Sequence, residues 1–223
     1  LRRFYRPFIY PGDTVFDIGA HLGDRSLAFA ALGARVVAIE PQTFPRRVLT
    51  WRLRHHPKSE ILNLAVGADT GRAQLAISDR HPTLATLSEQ WREGLAQQDP
   101  GFSHVQWNHR IEVEVTTLDA LIRRFGTPAF CKIDVEGFEA EVLAGLSQPV
   151  KSLSFEYLAG AERVTQRCLE QIESLGDYEF NITIGERRQL ELINWRAANG
   201  IRRWLSENTR SAGSGDIYAR CLS

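Results

Sequence analysis

Two glycines and two carboxylates fall within one short stretch, Asp17-Ile18-Gly19-Ala20-His21-Leu22-Gly23-Asp24. Glycine permits a tight turn and close approach of a ligand to the backbone. A turn of this kind, between a strand and a helix, is where doubly wound α/β sheets bind nucleosides and nucleotides. Glu40, followed by Pro41, stands about 20 residues further on, the distance at which a carboxylate can accept hydrogen bonds from both hydroxyls of an adenosine ribose. A dinucleotide site asks for Gly-x-Gly-x-x-Gly, so that backbone amides meet the pyrophosphate. Here Ala20 stands in place of a further glycine. Asp17 would also repel a doubly negative pyrophosphate, whereas the sulfonium and α-ammonium of S-adenosylmethionine would be attracted to it. The charges favour a methyl donor over NAD.

A second cluster, Lys132-Ile133-Asp134-Val135-Glu136-Gly137, closes an apolar run. Unpaired charges are costly to bury, so alternating charges at the end of a buried strand suggest a site. Methyl transfer to a hydroxyl needs alignment and removal of one proton. Asp134 or Glu136 is expected to take that proton, with Lys132 holding the carboxylates. The pair would also permit Mg²⁺, although no metal site is expected. His21 could serve as a base but more commonly such a residue shapes its loop. The basic run Arg46, Arg47, Arg52, Arg54, His55 and His56 reads as a solvated helix face. Neither Gly-x-Ser-x-Gly nor His-Glu-x-x-His occurs, which removes support for hydrolase and zinc-protease readings.

These groups must be positioned by an alternation of strands and helices. Strands are expected at Thr14–Ile18, Arg35–Glu40 and Ile61–Val66, with helices at Asp24–Leu32 and Thr43–Arg54 between them. Ile111, Val113 and Val115 alternate with Glu112 and Glu114 as a further strand. Thr117 is placed to cap a helix ended by Gly126. Ala129–Val135, Leu153–Tyr157, Tyr178–Ile184 and Asp216–Cys221 complete the strands. Helices are expected at Phe138–Leu146, around Val164–Leu175 and over residues 194–207. The order predicts one doubly wound, mostly parallel sheet of about seven strands with helices on both faces.

A length of 223 residues suits one such domain. It comprises an N-terminal segment 1–10 and an insertion from Ser78 to Arg110, whose Trp91, Trp107 and histidines could form a lid over an acceptor. Zero formal net charge argues against a dedicated nucleic-acid binder. No apolar run is long enough to span a membrane. Three widely spaced cysteines fit no zinc pattern and suggest reduced thiols in the cytoplasm. The chain has no methionine, so Leu1 is expected to be internal to something longer.

The combination Asp17-x-Gly-Ala-x-x-Gly-Asp, Ile39-Glu40-Pro41, Asn63-x-Ala65-Val66, Thr117-Leu118-Asp119 and Lys132-Ile133-Asp134-Val135-Glu136-Gly137-x-Glu139 resembles the FkbM family of methyltransferases, in this order and at similar separations. The resemblance extends from about Pro11 to Cys221 and implies a class I methyltransferase fold whose last strand runs antiparallel. It further implies S-adenosylmethionine as cofactor and a hydroxyl on a small molecule, sugar, lipid or polyketide as acceptor. By that likeness Asp17, Gly19, Ala20, His21, Gly23, Glu40 and Pro41 line the cofactor, and Asn63 and Ala65 lie near its adenine. An NAD-dependent oxidoreductase and a non-catalytic nucleoside-binding module of the same fold are the alternatives.

Overall fold

The computed structural model describes residues 1–77, 85–87 and 109–222. Its centre is strand β1 (Thr14–Ile18), buried from Val15 onward. Helix α2 (Asp24–Ala31) follows the glycine turn, after a short N-terminal helix α1 (Arg2–Tyr5). Strand β2 (Arg35–Ile39), helix α3 (Thr43–Leu53) and strand β3 (Glu60–Leu62) continue the crossover pattern. Later come helix α4 (Leu118–Phe125), strand β8 (Phe130–Ile133), helix α5 (Glu139–Ala144), strand β9 (Ser152–Leu158) and helix α6 (Glu162–Leu175). Strand β10 (Tyr178–Ile182), helix α7 (Ala198–Ala212) and strand β11 (Ser214–Cys221) end the chain. The side chain of Thr117 caps α4 by accepting the amide of Ala120 at 3.1 Å.

Seven strands form the main sheet, in the order β10-β11-β9-β8-β1-β2-β3. All neighbours are parallel except β11, which runs antiparallel to both β9 and β10. The last strand is therefore inverted, as expected. The sheet order reverses between β1 and β8, and that switch point opens a crevice at the carboxyl ends of both strands. Asp17 pairs in register with Lys132, so both side chains leave the same face. That face also carries Val15 and Phe130, which pack with Tyr5, Phe8 and Phe29. The opposite face holds the larger core of Phe16, Ile133, Phe155 and Ile217.

Two expectations need correction. The stretch Ile61–Val66 is not one strand: β3 ends at Leu62, and β4 (Ala65–Val66) belongs to a second sheet. The strand around Ile111–Val115 does not join the main sheet either. As β7 (His109–Thr116) it forms an antiparallel hairpin with β5 (Gly71–Ile77), in a four-stranded sheet ordered β4-β7-β5-β6 with β6 at Ala85–Thr86. The physical reason is visible in the residue pattern. Ala65, Leu75 and Val113 make a small separate core, while Glu112 and Glu114 face outward, so only one side of this hairpin is apolar. Antiparallel sheets tolerate one wet face, whereas strands of the main sheet are covered on both. Of the expected lid from Ser78 to Arg110, all but residues 85–87, 109 and 110 lie outside the described residues.

Candidate active site

The glycine turn is built by steric necessity. Gly19 has φ +78°, and a Cβ there would stand 1.9 Å from the backbone oxygen of Asp134. Gly23 has φ +86°, and a Cβ there would strike Leu49 of α3 at 2.4 Å. Only glycine lets the turn lie this close to β8 on one side and α3 on the other. The amides of Gly19 and Ala20 both donate to the carbonyl of Ile39 at 3.0 Å, and the Asp134 amide donates to that of Ile18. The ends of β1, β2 and β8 are thereby fixed to one another.

Glu40 closes β2 and is 3 % exposed. One carboxylate oxygen accepts the amide of His21 and the other that of Gln42, each at 2.8 Å. Each oxygen keeps a free lone pair. Burial raises the carboxyl to about pH 7, against the lowering effect of the two backbone bonds. His21 is held at φ +47°, one of only two non-glycine residues with positive φ among the described residues. The other is Glu136, at φ +53°, so both strained positions lie at this site.

An apolar cleft opens beside Glu40. Gly19, Pro41 and Gln42 form one wall, Leu64 and Ala65 another, and Asp134 and Phe138 a third, with Leu87 from the second sheet at the rim. Gly19, Pro41 and Ala65 thus line the cleft. Asp17, Ala20 and Gly23 lie beneath it as buried supports, and His21 is half-buried beside them. The Asp17 carboxylate accepts a hydrogen bond from Ser26 Oγ at 2.5 Å, and burial pushes it above the usual range. Asn63 is exposed. The chain leaves the main sheet at Leu62 and enters the second at Ala65, so Leu64 rather than Asn63 turns inward.

The end of β8 gathers charge. Lys132 is fully buried, with Nζ 2.8 Å from Asp216 of β11 and 3.3 Å from Asp134. Burial works to discharge the ammonium, but the two carboxylates outweigh it and lift its pKa. Burial likewise works to raise Asp134, yet Lys132 and Arg25 hold it below the ordinary carboxylate range. At Glu136 the charge of Lys132 is outweighed. Burial, with the charges of Asp134 and Glu139 adding to it, pushes the Glu136 carboxyl up to about 8. Glu139, 2 % exposed, accepts the amides of Val135 and Gly137 at 3.1 Å through one oxygen, which folds the loop around Glu136. Glu156 on β9 is raised well above its ordinary value, first by burial. Carboxylate oxygens of Asp134, Glu136 and Glu156 lie within 4.8 Å of one another. Such a group can share protons, because like charges this close do not all ionise, or it can surround a cation.

Four residues at the site were not singled out from the sequence. Arg25 lies 3.9 Å from Asp134, and its Nε is buried without a hydrogen-bond partner. A basic residue in the first turn of a helix, where the dipole favours acids, was the available signal. Asp216, the lone carboxylate in the apolar run of β11, answers the need of Lys132 for a counter-charge. Gln42 follows the expected Glu40-Pro41 pair directly. Glu156 carried no signal, since Ser154-Phe155-Glu156 reads as any strand approaching solvent.

A family described as Methyltransferase FkbM domain matches residues 17–210. A curated relative, the 31-O-demethyl-FK506 methyltransferase FkbM of Streptomyces tacrolimicus, is 32% identical over 157 residues. The matched stretch covers 61% of this chain and 60% of that protein's length. Among solved structures, that of a precorrin-6y C5,15-methyltransferase from Geobacter metallireducens GS-15 superposes with a TM-score of 0.50 at 10% identity. The superposition covers 100% of this chain and 85% of that one, and it speaks to the fold alone.

Proposed function

We propose, for a chain that belongs to the FkbM methyltransferase family, that it transfers a methyl group from S-adenosylmethionine to a hydroxyl oxygen of a small-molecule, sugar or lipid acceptor. The observation that carries this reading is Glu40. Its carboxylate is buried at the end of β2, oriented by two backbone amides with lone pairs to spare, and its neighbours Ile39, Pro41 and Gln42 line an apolar cleft. That is the set of contacts a ribose and a flat purine require: Glu40 to accept from the two hydroxyls, and Ala65, Leu64 and Phe138 to cover the ring. Gly19 leaves the backbone bare where the rest of the nucleoside would pass, and Arg25 is the nearest cation for a carboxylate at the far end. Asp17, Asp134 and Glu40 supply anionic surroundings that suit a cationic donor and disfavour a pyrophosphate.

When bound, S-adenosylmethionine supplies an activated methyl group. The chain's part is to position the acceptor and remove its proton. Asp134 is a poor base, because Lys132 and Arg25 stabilise its charge. Glu136, with a pKa near 8, is better matched to accept a hydroxyl proton near neutral pH. Its strained backbone fixes the carboxylate at the end of β8. Lys132 and Asp216 act as positioning residues, holding Asp134 and the loop that carries Glu136.

Calorimetry with S-adenosylhomocysteine and, separately, NADH tests the reading. Binding of the former without the latter is expected, and the reverse result would overturn it. Methyl transfer that is abolished by a chelator and restored by Mg²⁺ would move Asp134, Glu136 and Glu156 from proton transfer to metal binding.

A further inference from the structure

Helix α3 carries an outer surface that its role in the fold does not explain. Its core face is complete: Pro45, Leu49 and Leu53 are buried against the sheet and the glycine turn. Yet Phe44 is 70% exposed and Trp51 64% exposed. They stand seven residues apart, hence on one face, about 10 Å along the axis. Arg47 lies on this side of the helix, Arg54 caps its end, and Lys58 follows in the turn beyond it, all three exposed. From Pro41 to Ser59 the sequence contains no aspartate or glutamate. Among the described residues Arg47 and Lys58 have no carboxylate partner, and the Arg54 guanidinium lies 4.3 Å from the centre of the Trp51 ring, over the indole. Arg52, by contrast, is committed to Asp24 at 2.6 Å and belongs to the interior side.

We propose that this face of α3 docks on a membrane surface rich in anionic phospholipid. Aromatic rings flanked by arginine and lysine are what an interfacial helix presents: the rings enter the headgroup boundary and the cations meet the phosphates. The complementarity is local: between Pro41 and Ser59 arginines, a lysine and histidines stand with no acidic residue, beside two exposed aromatic rings. A second copy of the chain is a poor occupant, because two-fold pairing of this face would bring two cationic patches together. A nucleic-acid strand is less well served, because stacking on a base needs a free ring face and Arg54 covers one face of Trp51. Pro41 and Gln42, just ahead of α3, line the cleft, so docking in this way brings the membrane alongside it.

The test is flotation of the full chain with vesicles of phosphatidylcholine alone and of phosphatidylcholine mixed with phosphatidylglycerol. Binding is expected only to the mixed vesicles, with affinity falling as salt rises. Each neutralised cation in Arg47→Gln and Lys58→Gln should weaken it about fivefold. The double variant Phe44→Ser, Trp51→Ser should weaken it on the order of tenfold or more. All these positions are exposed, and an unchanged unfolding midpoint shows that a variant folds. Equal binding to both vesicles, no binding, or unchanged binding by the Phe44/Trp51 variant would overturn the proposal. So would tight binding of single-stranded RNA, or a dimer abolished by those same substitutions. No turnover is measured, so failure here leaves the methyl-transfer reading untouched.

Discussion

Replacing Glu40 with glutamine separates the charge of this side chain from its shape. The carboxyl sits at about 7 in the folded protein against 4.5 ordinarily. Between those values the folded state binds more protons than the unfolded chain, so stability falls as pH rises through that window. A displacement of this size corresponds to about 3 kcal/mol, an order-of-magnitude figure. Glutamine carries no charge at any pH and escapes this loss. It also brings a cost of its own, because its amide group must face one of the two backbone N–H groups of His21 and Gln42. That costs about 1–3 kcal/mol, equally at every pH. Urea unfolding of wild type and Glu40→Gln should therefore show the variant gaining about 3 kcal/mol on wild type between pH 4.5 and 7. Affinity for S-adenosylhomocysteine should move the opposite way, falling about 10- to 150-fold as charge-assisted bonds worth roughly 1.5–3 kcal/mol are lost. A residue kept only for stability would not show this opposition. A stability difference that ignores pH would refute the buried-charge argument, and an unchanged affinity would refute the ribose contact.

Three further substitutions probe the rest of the site. Glu136→Gln should lower turnover by roughly 10²–10⁴. In wild type, kcat/KM should rise with pH through about 8, as the raised carboxyl loses its proton; a flat profile would remove Glu136 as the base. Lys132→Met should cost about 3–5 kcal/mol by stranding Asp134 and Asp216, and adding Asp216→Asn should recover part of it, both read by denaturant unfolding. Gly19→Ala should abolish S-adenosylhomocysteine binding and destabilise more than Gly12→Ala, because the new Cβ meets the Asp134 carbonyl oxygen whereas Gly12, at φ +93°, has nothing within 4 Å. The Gly12 variant should lose only the about 1–2 kcal/mol of a left-handed L-residue, so equal losses would show that the turn has room to relax.

Wherever a structural feature depended on neighbours in sequence, its place was legible in the sequence. The glycine turn, Glu40-Pro41 and the Lys132–Gly137 run each occupy one strand end, and strand ends in a doubly wound sheet converge. Thr117 could be recognised as a cap because capping is decided within four residues. What could not be read depends on register between distant segments. Asp216 meets Lys132 across 84 positions only because β11 inserts antiparallel beside β9. The second sheet was hidden for a related reason: an alternating pattern such as Ile111 to Val115 states that one face is apolar but not which core receives it. Gly71–Ile77 shows the same alternation at Ala73, Leu75 and Ile77, yet its small, half-polar strand carried too little signal without its partner.

Charge at the site is divided between the two faces of one strand end, and the division determines which acid can act. Lys132 and Asp17 leave β8 and β1 on the face beneath α2, where Asp216 and Arg25 also converge. On that side Lys132 and Arg25 both act on Asp134, so it stays ionised and weakly basic. Past Asp134 the chain turns through Glu136 and Gly137 to three carboxylates, Glu136, Glu139 and Glu156, on which Lys132 acts more weakly. There burial and mutual repulsion raise every one of them. Glu139 is occupied by backbone amides and Glu156 is raised furthest from its ordinary range, which leaves Glu136 as the carboxyl best matched to the proposed proton transfer. In the proposed reaction the fixed anion at Asp134 faces the cationic donor and the titrating one two residues later faces the hydroxyl acceptor.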